Sequence, residues 1–202
     1  YEWPPQYSTD EEWLQYNVLE KKALDYFVHN AGSPDGVIDG GIVVFAGGNE
    51  AAPAASYPAA YKDYVSVAAT AGDFTPAVYT NYGPGTTISA PGGDQDYYYE
   101  EQYRYPAFTE DGGKLGYGDI GCILSALPKH LSPSGYGYME GTSMACPHVS
   151  GVVALGLSYA AKLRRHFTAD EFKSLLYETA TPIDEYMDGT KLYKKYVIDL
   201  EE

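Results

Sequence analysis

The feature that most constrains the fold is a short, unbroken apolar run at Ile42 to Ala46, which reads Ile-Val-Val-Phe-Ala. Strands with one solvated face alternate apolar and polar residues, whereas strands buried on both faces of a parallel sheet do not. A helical pattern at about residues 9–30 precedes the run, and a loop rich in Gly, Pro and Asp joins the two segments. A helix followed by a doubly buried strand predicts an α/β fold.

Other short patterns predict the remaining elements. Two capping-box spacings predict helix starts, at Ser8 with Glu11 and at Thr168 with Glu171. The second helix has three apolar residues on one face: Phe172, Leu175 and Leu176. Further apolar runs bounded by Gly or Pro predict three strands: Tyr64 to Ala69, Thr86 to Ser89 and Ile123 to Ala126. Residues from about 92 to 121 are polar, Gly-rich and Tyr-rich, which predicts a surface insert.

The charge balance excludes several kinds of partner. The 202 residues fit one domain or part of a larger one, and 28 Asp and Glu against 13 Lys and Arg give a net charge of −15. Such a charge argues against nucleic acid and anionic membranes as partners. Cys122 and Cys146 form neither a disulfide framework nor a metal-ligand spacing, and one bridge between them stays open. The uncharged stretch Met144 to Ala161 is interrupted by Pro147 and two glycines. We therefore expect a helix buried in a globular protein and no membrane span.

The most informative segment is Gly141 to Gly151, Gly-Thr-Ser-Met-Ala-Cys-Pro-His-Val-Ser-Gly. A proline is tolerated in the first turn of a helix, so Pro147 predicts a helix start close to Ser143. The free N–H groups and the positive dipole end of a helix N-terminus suit a site where an oxyanion develops. A serine before a helix is more often a simple N-cap, so the physical pattern alone leaves both roles open.

This string resembles the serine motif of the subtilisin-like serine peptidases, the subtilases. The resemblance implies that Ser143 is the catalytic nucleophile and that its own N–H forms part of an oxyanion hole. Thr142, within the same motif, would contact the substrate. The implied reaction is hydrolysis of a peptide bond through an acyl-enzyme.

A second segment, Val43 to Glu50, is similar to the family's strand that ends in Ala-Gly-Asn. The resemblance implies that the Asn49 side chain donates to the oxyanion, and open parallel sheets carry their sites at the carboxyl ends of strands. Three residues before it would line one wall of the substrate pocket: Ala46, Gly47 and Gly48. Shorter matches, including Asn81-Tyr82-Gly83, extend the resemblance over about residues 10–181.

The catalytic Asp and His of the family are not recognisable in this chain. The family's order is Asp, His, Ser, so both belong upstream of Ser143. Neither His29 nor His130 is followed by the expected Gly-Thr, and His148 would lie about 140° round a helix from the serine.

Asp39 lies only ten residues before Asn49. A parallel crossover between the strands of these two residues needs a longer connection, so we expect a turn at Asp39.

The resemblance therefore implies the C-terminal part of a three-layer subtilisin-like α/β fold, a mainly parallel sheet flanked by helices but without its N-terminal strands. Residues 1–202 would form a single partial catalytic domain with an insert at about 92–121. Its partners would be a peptide or protein substrate and the missing N-terminal part of its own domain. Calcium is common in the family, but no ligand is assigned, and a secreted or cell-envelope location is implied in the same way. Without a His and an Asp, we expect no useful peptidase activity from this chain alone.

Two other functions stay open at this point. One is a catalytically inactive subtilisin-like binding module, and the other is an interaction protein that recruits a partner at an exposed sheet edge. An α/β-hydrolase is excluded, because that fold needs an acid and then a histidine after the serine. No Asp or Glu lies between Ser143 and His166, the last histidine.

Overall fold

The computed structural model describes residues 7–32, 36–94 and 121–183, and the backbone of two short strands near the C-terminus. Most of the predicted insert, residues 95–120, lies outside the described residues. In chain order the elements are α1 (Asp10–Tyr16), α2 (Val18–Asn30), β1 (Ile38–Asp39), β2 (Val44–Ala46), β3 (Val65–Thr70), β4 (Ile88–Pro91), β5 (Ile123–Ala126), β6 (Tyr136–Met139), α3 (Thr142–Lys162), β7 (Phe167–Thr168), α4 (Ala169–Glu178), β8 (Thr190–Tyr193) and β9 (Tyr196–Asp199).

Three parallel strands form the central sheet of the described residues. Their order is β2-β3-β4, with Val44 beside Val65 and Val67 beside Ile88. All six residues of β3 are buried, which explains why its sequence does not alternate. The apolar runs thus predict this sheet, although β2 and β4 each begin two residues later than expected. The parallel sheet confirms the α/β class.

Helices cover the central sheet on both faces. On one face, Val65 and Val67 of β3 pack with Ala145 and Val149 of α3. On the other face, Trp13 of α1 is 1% exposed and lies in an aromatic cluster with Tyr61 and Tyr64. Apolar residues of α2, of β2 and of the position just before β2 pack against this cluster: Leu24, Val28, Phe45 and Val43. Neighbouring strand side chains point to opposite faces, so Val44 joins the first cluster. The predicted three-layer arrangement is confirmed.

The N-terminal helix differs from its prediction in two ways. It is two helices, because Asn17 leaves the helical conformation with φ −117° and ψ 37° and its side chain donates to the Trp13 carbonyl at 3.1 Å. The N-cap is Thr9 and not Ser8. Thr9 Oγ1 accepts the Glu12 N–H at 3.2 Å, and the Glu12 carboxylate accepts the Ser8 N–H at 2.8 Å. The predicted capping box is therefore not formed: the side chain of Thr9 caps the helix, but the Glu12 carboxylate accepts the N–H of Ser8 and not that of Thr9.

The helix that carries the serine begins at Thr142, as the motif predicts, but not for the predicted reason. Pro147 is its sixth residue and lies in the second turn, so placing it in the first turn was wrong. The start is defined instead by Gly141, whose carbonyl accepts the N–H groups of Met144 at 2.9 Å and Ala145 at 3.2 Å.

We expected α3 to be a buried helix, but only one of its faces is buried. Five of its residues are buried: Thr142, Ala145, Val149, Val153 and Ala160. The other face exposes apolar side chains, among them Leu155 at 73%. Within the described residues, α3 is the one helix long and apolar enough to cross a membrane, with a mean hydropathy of 1.3, but core helices of soluble proteins share that property.

Two-stranded pairs complete the described topology. β5 has the predicted bounds and pairs antiparallel with β6, which the sequence did not reveal; Ile123 lies opposite Met139. This hairpin leads directly into α3. The strands β8 and β9 form a further antiparallel pair.

The C-terminal helix α4 has the predicted capping box between Thr168 and Glu171. Phe172 and Leu176 are buried, whereas Leu175 is 41% exposed, so the buried face is narrower than predicted. β7, just before α4, pairs in parallel with β1, which contains Asp39. The turn predicted at Asp39 is therefore wrong: the residue lies in a two-residue strand.

Candidate active site

Ser143 is the second residue of α3 and is exposed at its N-terminus. The first N–H groups of a helix have no partner within the helix. Among the described residues, neither the Ser143 N–H nor its hydroxyl makes a hydrogen bond. The preceding Gly141 serves as N-cap without a side chain, with φ 140°, a conformation that L-residues with a Cβ rarely adopt. The serine therefore has a free backbone donor and a free hydroxyl.

Asn49 lies beside Ser143, three residues after the end of β2. Its Oδ1 accepts two hydrogen bonds from Thr142, from the N–H at 2.8 Å and from the hydroxyl at 2.9 Å. The Thr142 hydroxyl in turn accepts the Gly48 N–H at 3.2 Å, and Thr142 is 0% exposed. Both partners of Oδ1 are donors, so the amide orientation is fixed and Nδ2 points away from Thr142.

The Asn49 amide and the backbone nitrogen of Ser143 both lie close to Gly141. A Cβ built on Gly141 would lie 3.5 Å from Nδ2 of Asn49 and 3.6 Å from the backbone nitrogen of Ser143. Within the described residues, Nδ2 has no hydrogen-bond partner. Two unpartnered N–H donors that lie close to the same residue can together stabilise a negatively charged oxygen. Such an arrangement suits the tetrahedral intermediate of acyl transfer.

The loop that carries Asn49 is fixed by Asn81, whose side chain is 1% exposed. Asn81 Oδ1 accepts the N–H groups of Glu50 at 2.9 Å and Ala52 at 3.0 Å, and Nδ2 donates to the Glu50 carboxylate at 2.8 Å. Gly48 has φ 114°, and a Cβ there would overlap Nδ2 of Asn81. Sequence reasoning named Asn81 only as part of a short match. Its burial and its contacts to this loop come from tertiary packing, so no local sequence pattern singled it out.

The predicted pocket wall lies next to the two donors. Ala46 ends β2, and Gly47 and Gly48 connect it to Asn49. The Gly47 N–H donates to the Val67 carbonyl at 2.9 Å, and the Gly48 N–H donates to Thr142. Both N–H groups are used within the chain, so these glycines offer a peptide a close surface and no backbone donor.

The structure places no histidine in hydrogen-bond contact with Ser143. All four histidines lie within the described residues, and none of them hydrogen bonds to Ser143 there. His148 Nδ1 contacts the Met144 carbonyl at 2.8 Å, and His166 Nε2 lies 3.3 Å from Asp39 Oδ1. Asp39 thus has a partner away from the serine. His29 and His130 are exposed.

Cys146 is the other nucleophilic side chain near the start of α3, and it points into the protein. Its Sγ contacts the Val44 carbonyl at 3.5 Å. Burial raises the pKa of the thiol, although the Ser150 hydroxyl lowers it. The thiolate is the reactive form of cysteine, so Cys146 is poorly suited to nucleophilic attack.

No metal site is assigned. Among the described residues, no group of three or more His, Cys, Asp or Glu side chains is arranged to hold a metal ion. The calcium that the family resemblance implies therefore has no candidate ligand set in this part of the chain.

Comparison with known proteins identifies the family of this chain. The model of the subtilase family matches residues 9–196. An extracellular basic protease of Dichelobacter nodosus is 30% identical over 150 residues, which cover 74% of this chain and 21% of that protein. A cell wall-associated protease of Bacillus subtilis is 30% identical over 158 residues, covering 77% of this chain and 14% of that protein. The chain thus spans only a small part of these relatives.

Solved protease structures also resemble this chain. A protease of Pseudoalteromonas arctica PAMC 21717 has a TM-score of 0.50 and 32% identity, over 70% of this chain and 36% of the other. A lanthipeptide protease has a TM-score of 0.60 at 23% identity, over 86% of this chain and 50% of the other, which supports the fold alone. From the family match and the shared three-layer fold, the chain belongs to the subtilase family.

Proposed function

We propose that residues 1–202 are part of one catalytic domain of a serine endopeptidase and carry its nucleophile, Ser143, and its oxyanion hole. The observation that supports this most is the fixed orientation of the Asn49 amide. Thr142 occupies Oδ1 with two donors, so Nδ2 is left to donate beside the free Ser143 N–H. A turn residue or a simple N-cap would not need this arrangement.

In the proposed reaction, the Ser143 hydroxyl oxygen attacks the carbonyl carbon of a peptide bond. A histidine outside the described site takes the hydroxyl proton and later gives it to the leaving amine. The carbonyl oxygen becomes an oxyanion and is stabilised by the Ser143 N–H and Asn49 Nδ2. Water then hydrolyses the acyl-enzyme, with Ala46, Gly47 and Gly48 forming one wall for the substrate. Removing such an amide donor lowers kcat by about 100- to 1,000-fold in subtilisin, a figure established on that family member and not worked out from this structure.

The proposed enzyme needs a segment that supplies the histidine and its aspartate. The exposed face of α3 supports this requirement, since it presents a row of large apolar side chains to water: Val152, Leu155, Tyr159 and Leu163. A contiguous apolar surface of this kind is unusual on an isolated soluble domain. We therefore infer that the segment with the catalytic Asp and His packs on this face and completes the domain.

Peptides or proteins are the proposed substrates, by likeness to the protease relatives. Secretion or attachment to the cell envelope is proposed on the same basis, because relatives are described as extracellular or cell wall-associated. No nucleic acid partner is proposed, in line with the net charge of −15.

A fluorophosphonate probe tests this function directly. In the full-length protein the probe should label wild type but not Ser143→Ala. Ser150→Ala is a matched control on the same helix, since its exposed hydroxyl donates to the Cys146 carbonyl at 3.2 Å, and it should label like wild type. Labelling that persists in Ser143→Ala would refute the assignment. A folded full-length protein that is never labelled would favour the inactive binding module.

A further inference from the structure

One residue, Tyr79, contacts both segments that carry the oxyanion donors. Its backbone carbonyl accepts the Ala51 N–H at 2.8 Å, two residues after Asn49. Its side-chain hydroxyl accepts the Gly141 N–H at 2.9 Å, two residues before Ser143. No other residue in the described part of the chain makes hydrogen bonds to both segments in this way through its backbone and its side chain together.

The Tyr79 hydroxyl is fully used. Besides accepting from Gly141, it donates towards the carbonyl oxygens of Gly93 at 2.6 Å and Gly92 at 3.0 Å. The phenol ring packs against the main core. Burial raises the pKa of Tyr79 most, with Glu140, Asp94 and Cys122 adding to the rise and the Gly141 hydrogen bond opposing it. The hydroxyl therefore keeps its proton and can donate and accept at once.

The position of Gly141 decides where the next two N–H groups point. The Thr142 N–H donates to Asn49, and the Ser143 N–H is the second donor of the oxyanion hole. Gly141 has no side chain to cap the helix, so its backbone is fixed from outside, by Tyr79 and by the Gly92 carbonyl at 3.0 Å. A shift of this peptide would move both donors relative to each other.

We propose that Tyr79 is a positioning residue of the oxyanion hole, whose hydroxyl fixes the Gly141 peptide and thereby the direction of the Ser143 N–H relative to Asn49. Tyr79 itself does not touch the reacting atoms in this role. The proposal rests on the proposed peptidase function, because the geometry that it fixes matters only for a developing oxyanion.

The test is Tyr79→Phe in the full-length protein, with Tyr82→Phe as the matched control. Tyr82 lies in the same segment and is exposed, and its hydroxyl makes no hydrogen bond among the described residues. We expect Tyr79→Phe to lower kcat about tenfold, because a misdirected Ser143 N–H would weaken its hydrogen bond to the oxyanion in the transition state, with KM within about twofold of wild type. The affinity for a peptide boronate, which forms a tetrahedral adduct, should fall by a similar factor, whereas Tyr82→Phe should change neither value.

Amide hydrogen exchange provides a readout that does not need activity. The peptide covering residues 140–145 should exchange about five- to tenfold faster in Tyr79→Phe and at the wild-type rate in Tyr82→Phe. Unchanged kcat, or a loss that appears in KM instead, would overturn the proposed role. An inactive wild-type protein would refute the peptidase function and with it any catalytic role for Tyr79, while exchange at Gly141 would still decide whether the hydroxyl fixes this peptide.

Discussion

Replacing Asn81 by alanine should destabilise the protein and loosen the loop that carries Asn49. The Asn81 side chain is 1% exposed and accepts two backbone N–H groups, from Glu50 at 2.9 Å and from Ala52 at 3.0 Å. Alanine has no polar atom to replace Oδ1. The two N–H groups would then be left without an acceptor in a site that water reaches poorly.

The expected loss in the free energy of unfolding follows from the two N–H groups that would lose their acceptor. An orphaned buried donor costs about 1–3 kcal/mol. Ala52 is buried and Glu50 only partly so, so the sum lies near 3 kcal/mol, a factor of about 100 in the folding equilibrium. The acceptors of Nδ2 add little. The Gly47 carbonyl keeps its bond from the Ser56 N–H at 2.8 Å, and the Glu50 carboxylate can turn to water.

Urea denaturation of the purified protein measures this loss as the change in the free energy of unfolding. Asn30→Ala is the matched control, because Asn30 is exposed at the end of α2 and donates only to the Tyr26 carbonyl at 2.8 Å. It should cost less than about 0.5 kcal/mol. In the active full-length protein, Asn81→Ala should also lower kcat, since Asn49 loses its support. Equal stability losses in the two variants would show that Asn81 does not anchor the loop.

Three further predictions follow from other contacts. Gly48→Ala should lower the free energy of unfolding by at least about 2 kcal/mol, because the backbone φ of 114° and the overlap with Asn81 both disfavour a Cβ at this position. Urea denaturation measures this loss, and an unchanged free energy of unfolding would contradict the prediction. The N–H and hydroxyl of Thr168 lower the pKa of Glu171 from 4.5. The contribution of Glu171 to stability is therefore present above pH 4.5 and is lost as the pH falls through the lowered pKa. Glu171→Gln should flatten the acid side of a plot of melting temperature against pH, and an unchanged plot would refute this. Leu155→Lys should abolish fluorophosphonate labelling of the full-length protein if the apolar face of α3 binds the segment with the Asp and His, and normal labelling would exclude that docking face.

Elements set by local patterns were predictable from the sequence. The unbroken apolar runs identified the central sheet because β3 is buried throughout, and the Thr168 capping box fixed the start of α4 within its own first turn. The prediction failed where more than one residue could cap or interrupt the helix. Thr9 and not Ser8 caps α1, and Asn17 breaks the helix through its own side chain. The strand β6 was missed because Tyr136–Met139 is stabilised by pairing with β5 and not by an apolar pattern of its own.

The contacts around the candidate site could not be read from the sequence, because they join residues far apart in the chain. The Asn49–Thr142 bonds span 93 residues, and the Tyr79–Gly141 bond spans 62. The motifs predicted that Ser143 and Asn49 would be neighbours only through the family resemblance. The orientation of the amide and the anchoring by Asn81 and Tyr79 depend on tertiary packing, which no local pattern encodes.

In the proposed enzyme, the residues that orient the oxyanion donors and the base that activates Ser143 belong to different segments. Every contact that orients the oxyanion donors comes from within the described chain: Thr142 for the amide, Asn81 for its loop and Tyr79 for the helix start. None of them depends on a histidine. Preorganised donors act because they need no rearrangement as charge develops, and in the proposed enzyme these contacts preorganise the oxyanion donors. In the proposed enzyme, the base that activates Ser143 is supplied by the segment that we infer to cover the apolar face of α3, so activity would depend on that docking.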